Sequence, residues 1–217
     1  MTRFVRDHLR ALRISSELTR WFRKGREPNM ERVTVERVLA ALHREGINPV
    51  LMGAHGINVY RSETRATQDV DVLVTKKDVR KAIRVLEATF PYLEFRENSA
   101  VAQFGDPVTG KPAIDVMKPS SDSNRLVFRH SVRIGETHRI PDLEMALLCK
   151  FLSMHSPNRR EPKRLVDLSD FMDIVETNRE QLDLDRLKRI ADLLNPKRGK
   201  AVLEIVEDID EGRRVHL

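Results

Sequence analysis

The stretch Arg65-Ala66-Thr67-Gln68-Asp69-Val70-Asp71-Val72-Leu73-Val74 sets two carboxylates two residues apart inside an apolar, β-branched run. Side chains alternate along an extended chain, so Asp69 and Asp71 share one face while Val70 and Val72 take the other, buried one. Like charges on one face repel, and a strand has little structural reason to keep them. A hard divalent cation such as magnesium, which takes oxygen ligands, removes the penalty. The residues therefore point to a strand with a metal site, and behind it to phosphate chemistry.

The pattern around this strand fixes the organisation. Residues 3–24 read as an amphipathic helix with Leu9, Leu12, Leu18, Trp21 and Phe22 as apolar anchors, broken at Gly25 to Asn29 by Pro28. A second helix spans Thr34 to Glu45, a short strand Pro49 to Met52, a helical segment Ile57 to Arg61, and a helix Lys76 to Phe90. Strands follow at Tyr92–Arg96, Ala100–Phe104 and Pro112–Met117, then one at Val132–Ile140 bent at Gly135. From Pro141, read as a first helical residue, the pattern is all helical. The expected class is α+β: a basic N-terminal helix (1–30), an αβ core with a mixed sheet and flanking helices (31–140), and a C-terminal helical segment (141–217).

A third acid, Asp115, interrupts the apolar strand Ala113-Ile114-Asp115-Val116-Met117. Taken singly it reads as an exposed edge residue; beside Asp69 and Asp71 it completes a three-carboxylate cluster able to hold cations against a triphosphate. Gly53 and Gly56 follow a strand and precede a helical turn, where backbone amides can approach phosphate, although taken alone they read more readily as two turn glycines. His55 between them reads as an exposed loop histidine. None of the seven histidines pairs at metal-ligand spacing, and Ser153-Met154-His155-Ser156 has no hydrolase pattern.

Charge is uneven. Eight Arg and Lys against Asp7 and Glu17 in residues 1–26 account for the whole formal excess of +6. That patch is an electrostatic footing for RNA, or else a solvated helix face. Cys149 is alone, which excludes an intramolecular disulfide and a cysteine zinc cluster, and charge interrupts every apolar run, which excludes a membrane span. A cytoplasmic chain is expected.

Gly53, the spacer, Arg65-x-Thr67-x-Asp69-x-Asp71 and the later Asp115 resemble the pattern of the nucleotidyltransferase superfamily (DNA polymerase β-like fold). The Arg-x-Thr-x-Asp-hydrophobic-Asp form is similar to the AbiEii-type toxin and related bacterial nucleotidyltransferases. Lys150, the basic run to Arg164, and Asp167 and Asp170 resemble the family's Lys…(Lys/Arg)-x-x-Asp segment with loose spacing. The resemblance implies that Asp69, Asp71 and Asp115 hold magnesium or manganese and that Asp115 helps deprotonate an acceptor hydroxyl. It also implies that Gly53, Ala54, Thr67 and Lys150 contact an NTP. From the residues alone, Lys150 reads equally as a snorkelling lysine, and Asp167 and Asp170 as a solvated face or helix-start charges. The chain departs from the family at Gly53-Ala54, where Gly-Gly or Gly-Ser is usual, so a phosphate-binding hydroxyl is missing. The expected function is transfer of an NMP onto a hydroxyl, with RNA or tRNA as acceptor and an antitoxin as possible partner. The alternative is an inactive module binding RNA or protein. Leu18, Trp21 and Phe22, if unpaired, offer a homodimer face.

Overall fold

The structure, a computed structural model, describes residues 1–25 and 29–215. It divides into two compact units, one of residues 1–59 and 63–141, the other of residues 60–62 and 142–217.

The first unit opens with α1 (Arg3–Arg23), started by the Thr2 hydroxyl accepting from Val5 N and carrying Arg20 and Arg23 in its last turn, where the helix dipole favours cations. Its buried face differs from the expected one. His8, Ala11, Leu12, Ser15, Ser16 and Arg23 are buried, whereas Leu9, Leu18, Trp21 and Phe22 are exposed. Ser15 and Arg23 face inward because they bond backbone carbonyls, as described below. The break read at Gly25–Asn29 falls largely on residues 26–28, outside the described residues.

Helix α2 (Val35–Arg44), capped by Thr34, buries Val35, Val38, Leu39 and Leu42. After it come β1 (Val50–Leu51), α3 (Gly53–Ile57), β2 (Val70–Leu73), α4 (Val79–Thr89), β3 (Glu94–Glu97), β4 (Val101–Gly105) and β5 (Pro112–Met117). The unit closes with α5 (Asp122–Arg129), β6 (Ser131–Ile134) and β7 (His138–Pro141). One mixed sheet runs in the order β3-β4-β5-β2-β1-β7-β6, with β2–β5 and β1–β7 parallel and the other pairs antiparallel. Val72, Leu73, Ile114 and Val116 are fully buried in its central strands; α4 packs on β5 and α2 on α4, with Val38, Leu42, Leu86 and Phe90 fully buried. Each such side chain contributes about 1.5–3 kcal/mol of apolar burial.

Four expectations are corrected. The helical segment read at Ile57–Arg61 begins earlier, at Gly53. Helix α5 was not expected, because only Leu126 and Val127 of its residues are buried and no apolar stripe announces it. The single strand read at Val132–Ile140 is a hairpin: Gly135 at φ +54° takes a left-handed turn, and Arg133 pairs with Arg139 across it. Pro141 ends β7 rather than starting a helix, since the Asp142 carboxylate caps the next helix by accepting from Met145 N at 3.1 Å.

The second unit contains α6 (Leu143–Met154), α7 (Glu161–Thr177), α8 (Leu184–Asp192) and α9 (Pro196–Asp210), with α6 on α7 and α8 on α9 as its main packings. Leu147, Phe171, Ile174, Leu187 and Val202 are fully buried there. Its interior is also charged. Lys150 Nζ lies 2.9 Å from Asp167 and 2.6 Å from Asp170; Arg159 pairs with Asp167 at 2.7 Å, and Arg61 pairs with Asp170 at 3.2 Å and Asp173 at 2.8 Å. Asp167 and Asp170 are 1 % exposed, which corrects the reading of a solvated face. No described helix is long and apolar enough to cross a membrane.

Candidate active site

Strand pairing brings the three acids together. β2 and β5 run parallel with Asp71 opposite Asp115, and β4 adds Gln103 opposite Asp115, so a polar row crosses three neighbouring strands on one face. Asp69 stands just before β2, two residues from Asp71 and therefore on the same face. One carboxylate oxygen from each of Asp69, Asp71 and Asp115 lies within 4.8 Å of the others, and all three residues are half-buried. Ligand oxygens about 2.1 Å from one octahedral cation lie roughly 3–4.2 Å apart, so this set needs only small side-chain rotations to close on one. The donor set, all oxygen, fits magnesium or manganese rather than a softer metal.

Each acid is held by a neighbour. Thr67 Oγ1 donates to Asp69 Oδ1 at 2.9 Å, and Gln103 Nε2 donates to Asp115 Oδ1 at 2.9 Å. Asp71 is fixed through its backbone, whose carbonyl accepts from Met52 N at 2.8 Å, and through Gly53. Gly53 sits at φ +59°, and a Cβ there would lie 2.1 Å from Asp71 Oδ2. No residue with a side chain fits both the dihedral and the gap. Gly56 is equally constrained, since a Cβ on it would fall 2.3 Å from Leu51 O. The two glycines thus let α3 start directly beside the acidic row, with Ala54 buried and no side-chain cap on the first turn. Amides at such a start suit an anion.

The segment leading into Asp69 is clamped by α1. Ser15 Oγ donates to Arg65 O at 2.8 Å, Thr19 Oγ1 to Thr67 O at 2.9 Å, and the Arg23 guanidinium to Gln68 O as well as to Met30 O and Val33 O. Asn58 Nδ2 adds a bond to Arg65 O at 3.1 Å. Arg23 is 5 % exposed, so its charge is dispersed over three carbonyls rather than offered to water.

His55 is 3 % exposed rather than a solvated loop residue, because α3 packs under α1. Burial, with help from the Arg23 and Arg65 charges, lowers its pKa to about 3. Burial does the same for His8, to about 3, and His138, to about 4. These two sit 130 residues apart in sequence yet bring their Nε2 atoms to 3.1 Å, a pairing that local spacing does not reveal. Neutral imidazoles are required there.

Of the residues read from sequence, Gly53, Thr67, Asp69, Asp71 and Asp115 come together in the first unit. Lys150 belongs to the second, where Asp167 and Asp170 hold its amine. Sequence reading missed Gln103, Ser15 and Arg23. The signal for Gln103 was its place between Ala102 and Phe104, which alternation buries on one face while it turns Gln103 to the other, the face of the acids.

No family model matches the chain, and no curated protein matches it. Among solved structures, JHP933 from Helicobacter pylori superposes with a TM-score of 0.50 at 12% identity, covering 87% of this chain and 94% of that one. A solution structure of the antibiotic-resistance factor ANT(2'')-Ia gives 0.48 at 11% identity over 82% and 96% of the two chains. Its crystal structure with adenylyl-2''-tobramycin gives 0.48 at 11% over 78% and 95%. The likeness to JHP933 is one of fold: a mixed α+β chain with a seven-stranded sheet.

Proposed function

We propose that this chain is a metal-dependent nucleotidyltransferase that moves an NMP from an NTP onto a hydroxyl of RNA. The observation that carries the reading is the pairing of Asp71 with Asp115 across β2 and β5, with Asp69 alongside and Gly53 pressed against Asp71. Bound magnesium or manganese, held by Asp69, Asp71 and Asp115, would neutralise triphosphate charge and ease ionisation of the acceptor hydroxyl. In the transfer, the acceptor oxygen bonds to the α-phosphorus as the bond from that phosphorus to the α–β bridging oxygen breaks. Pyrophosphate leaves with the electron pair, and Asp115 takes the hydroxyl proton. Gln103 orients Asp115 for that task, and Thr67 orients Asp69. Gly53 and Ala54 receive phosphate at the start of α3.

The finer points rest on the sequence resemblance: an AbiEii-type toxin role, an antitoxin partner, a tRNA acceptor, and Lys150 on the triphosphate. For Lys150 the ion pairs with Asp167 and Asp170 support a second role, tying α6 to α7. Ala54 in place of a hydroxyl residue supports the other reading, an inactive module binding RNA or a protein. Incubation with magnesium, each α-labelled NTP and total cellular RNA separates the two. Label in RNA that is lost in Asp69→Asn supports the transferase. Absence of label under every NTP, with no magnesium-dependent NTP binding by calorimetry, overturns it.

A further inference from the structure

Beside the acidic row lies a cavity of about 350 Å³, lined by Thr19, Phe22 and Arg23 of α1, by Thr67 and Gln68, and by Lys111. Its volume is at the lower end of small-ligand sites and holds a single nucleotide. The exposed Phe22 and Lys111 line it, while Thr19, Arg23 and Thr67 are bonded within the protein. Thr67, which lines it, also donates to Asp69, so the cavity reaches to one hydrogen bond from the carboxylate cluster. The carbonyls of Thr67 and Gln68 are bonded to Thr19 and Arg23, which makes the cavity a built feature of α1 against the strand entrance.

The surface leading to it has a matching character. Arg20, Trp21, Phe22 and Lys24 are exposed at the end of α1 with the buried Arg23 among them, whereas Arg3, Arg6, Arg10 and Arg13 lie on the opposite side of the helix from its buried face. Trp21 is 71% exposed and stands edge-on to Phe22 with centroids 5.1 Å apart. Cations interleaved with exposed rings are the pattern that holds an unpaired polynucleotide, charge tracking the backbone and rings stacking on bases. A rigid duplex keeps its bases stacked on one another and gains nothing from the rings.

We infer that the cavity between the end of α1 and residues 66–68 seats the terminal base of a single-stranded RNA, stacked on Phe22, with its backbone phosphates against Lys24 and Lys111. This rests on the transferase reading and adds the place at which the acceptor end is held. It also gives a reason for Trp21 and Phe22 to face water at the end of α1.

The test is titration of the full chain, in magnesium without NTP, with a fluorescein-labelled single-stranded RNA 12-mer. Binding is followed by anisotropy and by the emission of Trp21, the chain's single tryptophan. Trp21 emission is expected to quench with the same midpoint as the anisotropy. Phe22→Ala is expected to weaken binding between about fivefold and 100-fold, the loss of one stacked base, and Phe22→Tyr to restore it. A duplex of the same length is expected to bind at least about tenfold more weakly. Unchanged Trp21 emission at saturation, equal affinity of Phe22→Ala, or equal affinity for duplex overturns the inference. Labelled-NTP transfer measured in parallel keeps the two claims apart. Transfer without Phe22-dependent RNA binding removes the cavity's role and leaves the transferase; Phe22-dependent binding without transfer removes the transferase and leaves the cavity.

Discussion

Two clusters of carboxylates in this molecule are built in opposite ways. In the αβ unit, Asp69 and Asp115 take hydrogen bonds from Thr67 and Gln103, donors that carry no charge. In the helical unit, Asp167, Asp170 and Asp173 are threaded with Lys150, Arg159 and Arg61. The first arrangement fixes the direction of Asp69 and Asp115 through neutral donors. The second spends its charge internally and joins helices, as a buried ion network does when every member is satisfied. Three acids near one another are thus not a site by themselves.

The comparison breaks if activity and stability respond alike to both clusters. Replacing Asp69 and Asp71 by Asn should lower transfer at least about 10⁴-fold, near 5.5 kcal/mol of barrier, while the melting temperature holds or rises as like charges are removed. Lys150→Met should do the reverse in kind, costing about 3 kcal/mol in denaturant unfolding by leaving Asp167 and Asp170 undercompensated. Gly53→Ala forces a left-handed dihedral and a clash on Asp71 Oδ2; about 2 kcal/mol of stability should go, along with most transfer activity. Gln103→Ala should leave folding nearly unchanged but weaken magnesium affinity by about 10–100-fold in calorimetry, the usual effect of losing a group that orients a ligand. The smallest effect is graded. His8, His55 and His138 have folded pKa values below the ordinary 6.5, so the unfolded chain binds the extra protons between pH 6.5 and about 4. Stability from their neutral burial is complete above pH 6.5 and is lost as pH falls, by at most about 1.4 kcal/mol per pH unit for each histidine. Unfolding of His138→Asn across that range should show a shallower slope.

What the sequence discloses here is what lies within a strand's or helix's own period. Asp69 and Asp71 were legible because side chains alternate, and the helix at 79–89 because Ala82, Ile83 and Leu86 recur at helical steps. Asp115 was legible as an acid out of place, but its register against Asp71 is set by pairing with a residue 44 positions away. Gly53 looked like a turn glycine, since its steric partner Asp71 is distant in sequence. Helix α1 misled for a related reason. Burying Ser15, Thr19 and Arg23 is favourable only because carbonyls of residues 65–68 await them, and hydropathy alone would turn Trp21 and Phe22 inward. His8 and His138 show the same limit at greater separation.

The parallel pairing of β2 with β5 also carries a kinetic meaning. β1 and β2 are antiparallel neighbours in sequence and can meet early, but β5 reaches β2 only after α4, β3 and β4 have been laid between them. Closing such a crossover is entropically slow compared with forming a hairpin. Refolding is therefore expected to form helices and hairpins before the parallel pairings, and recovery of the proposed magnesium binding would report closure of β5 on β2.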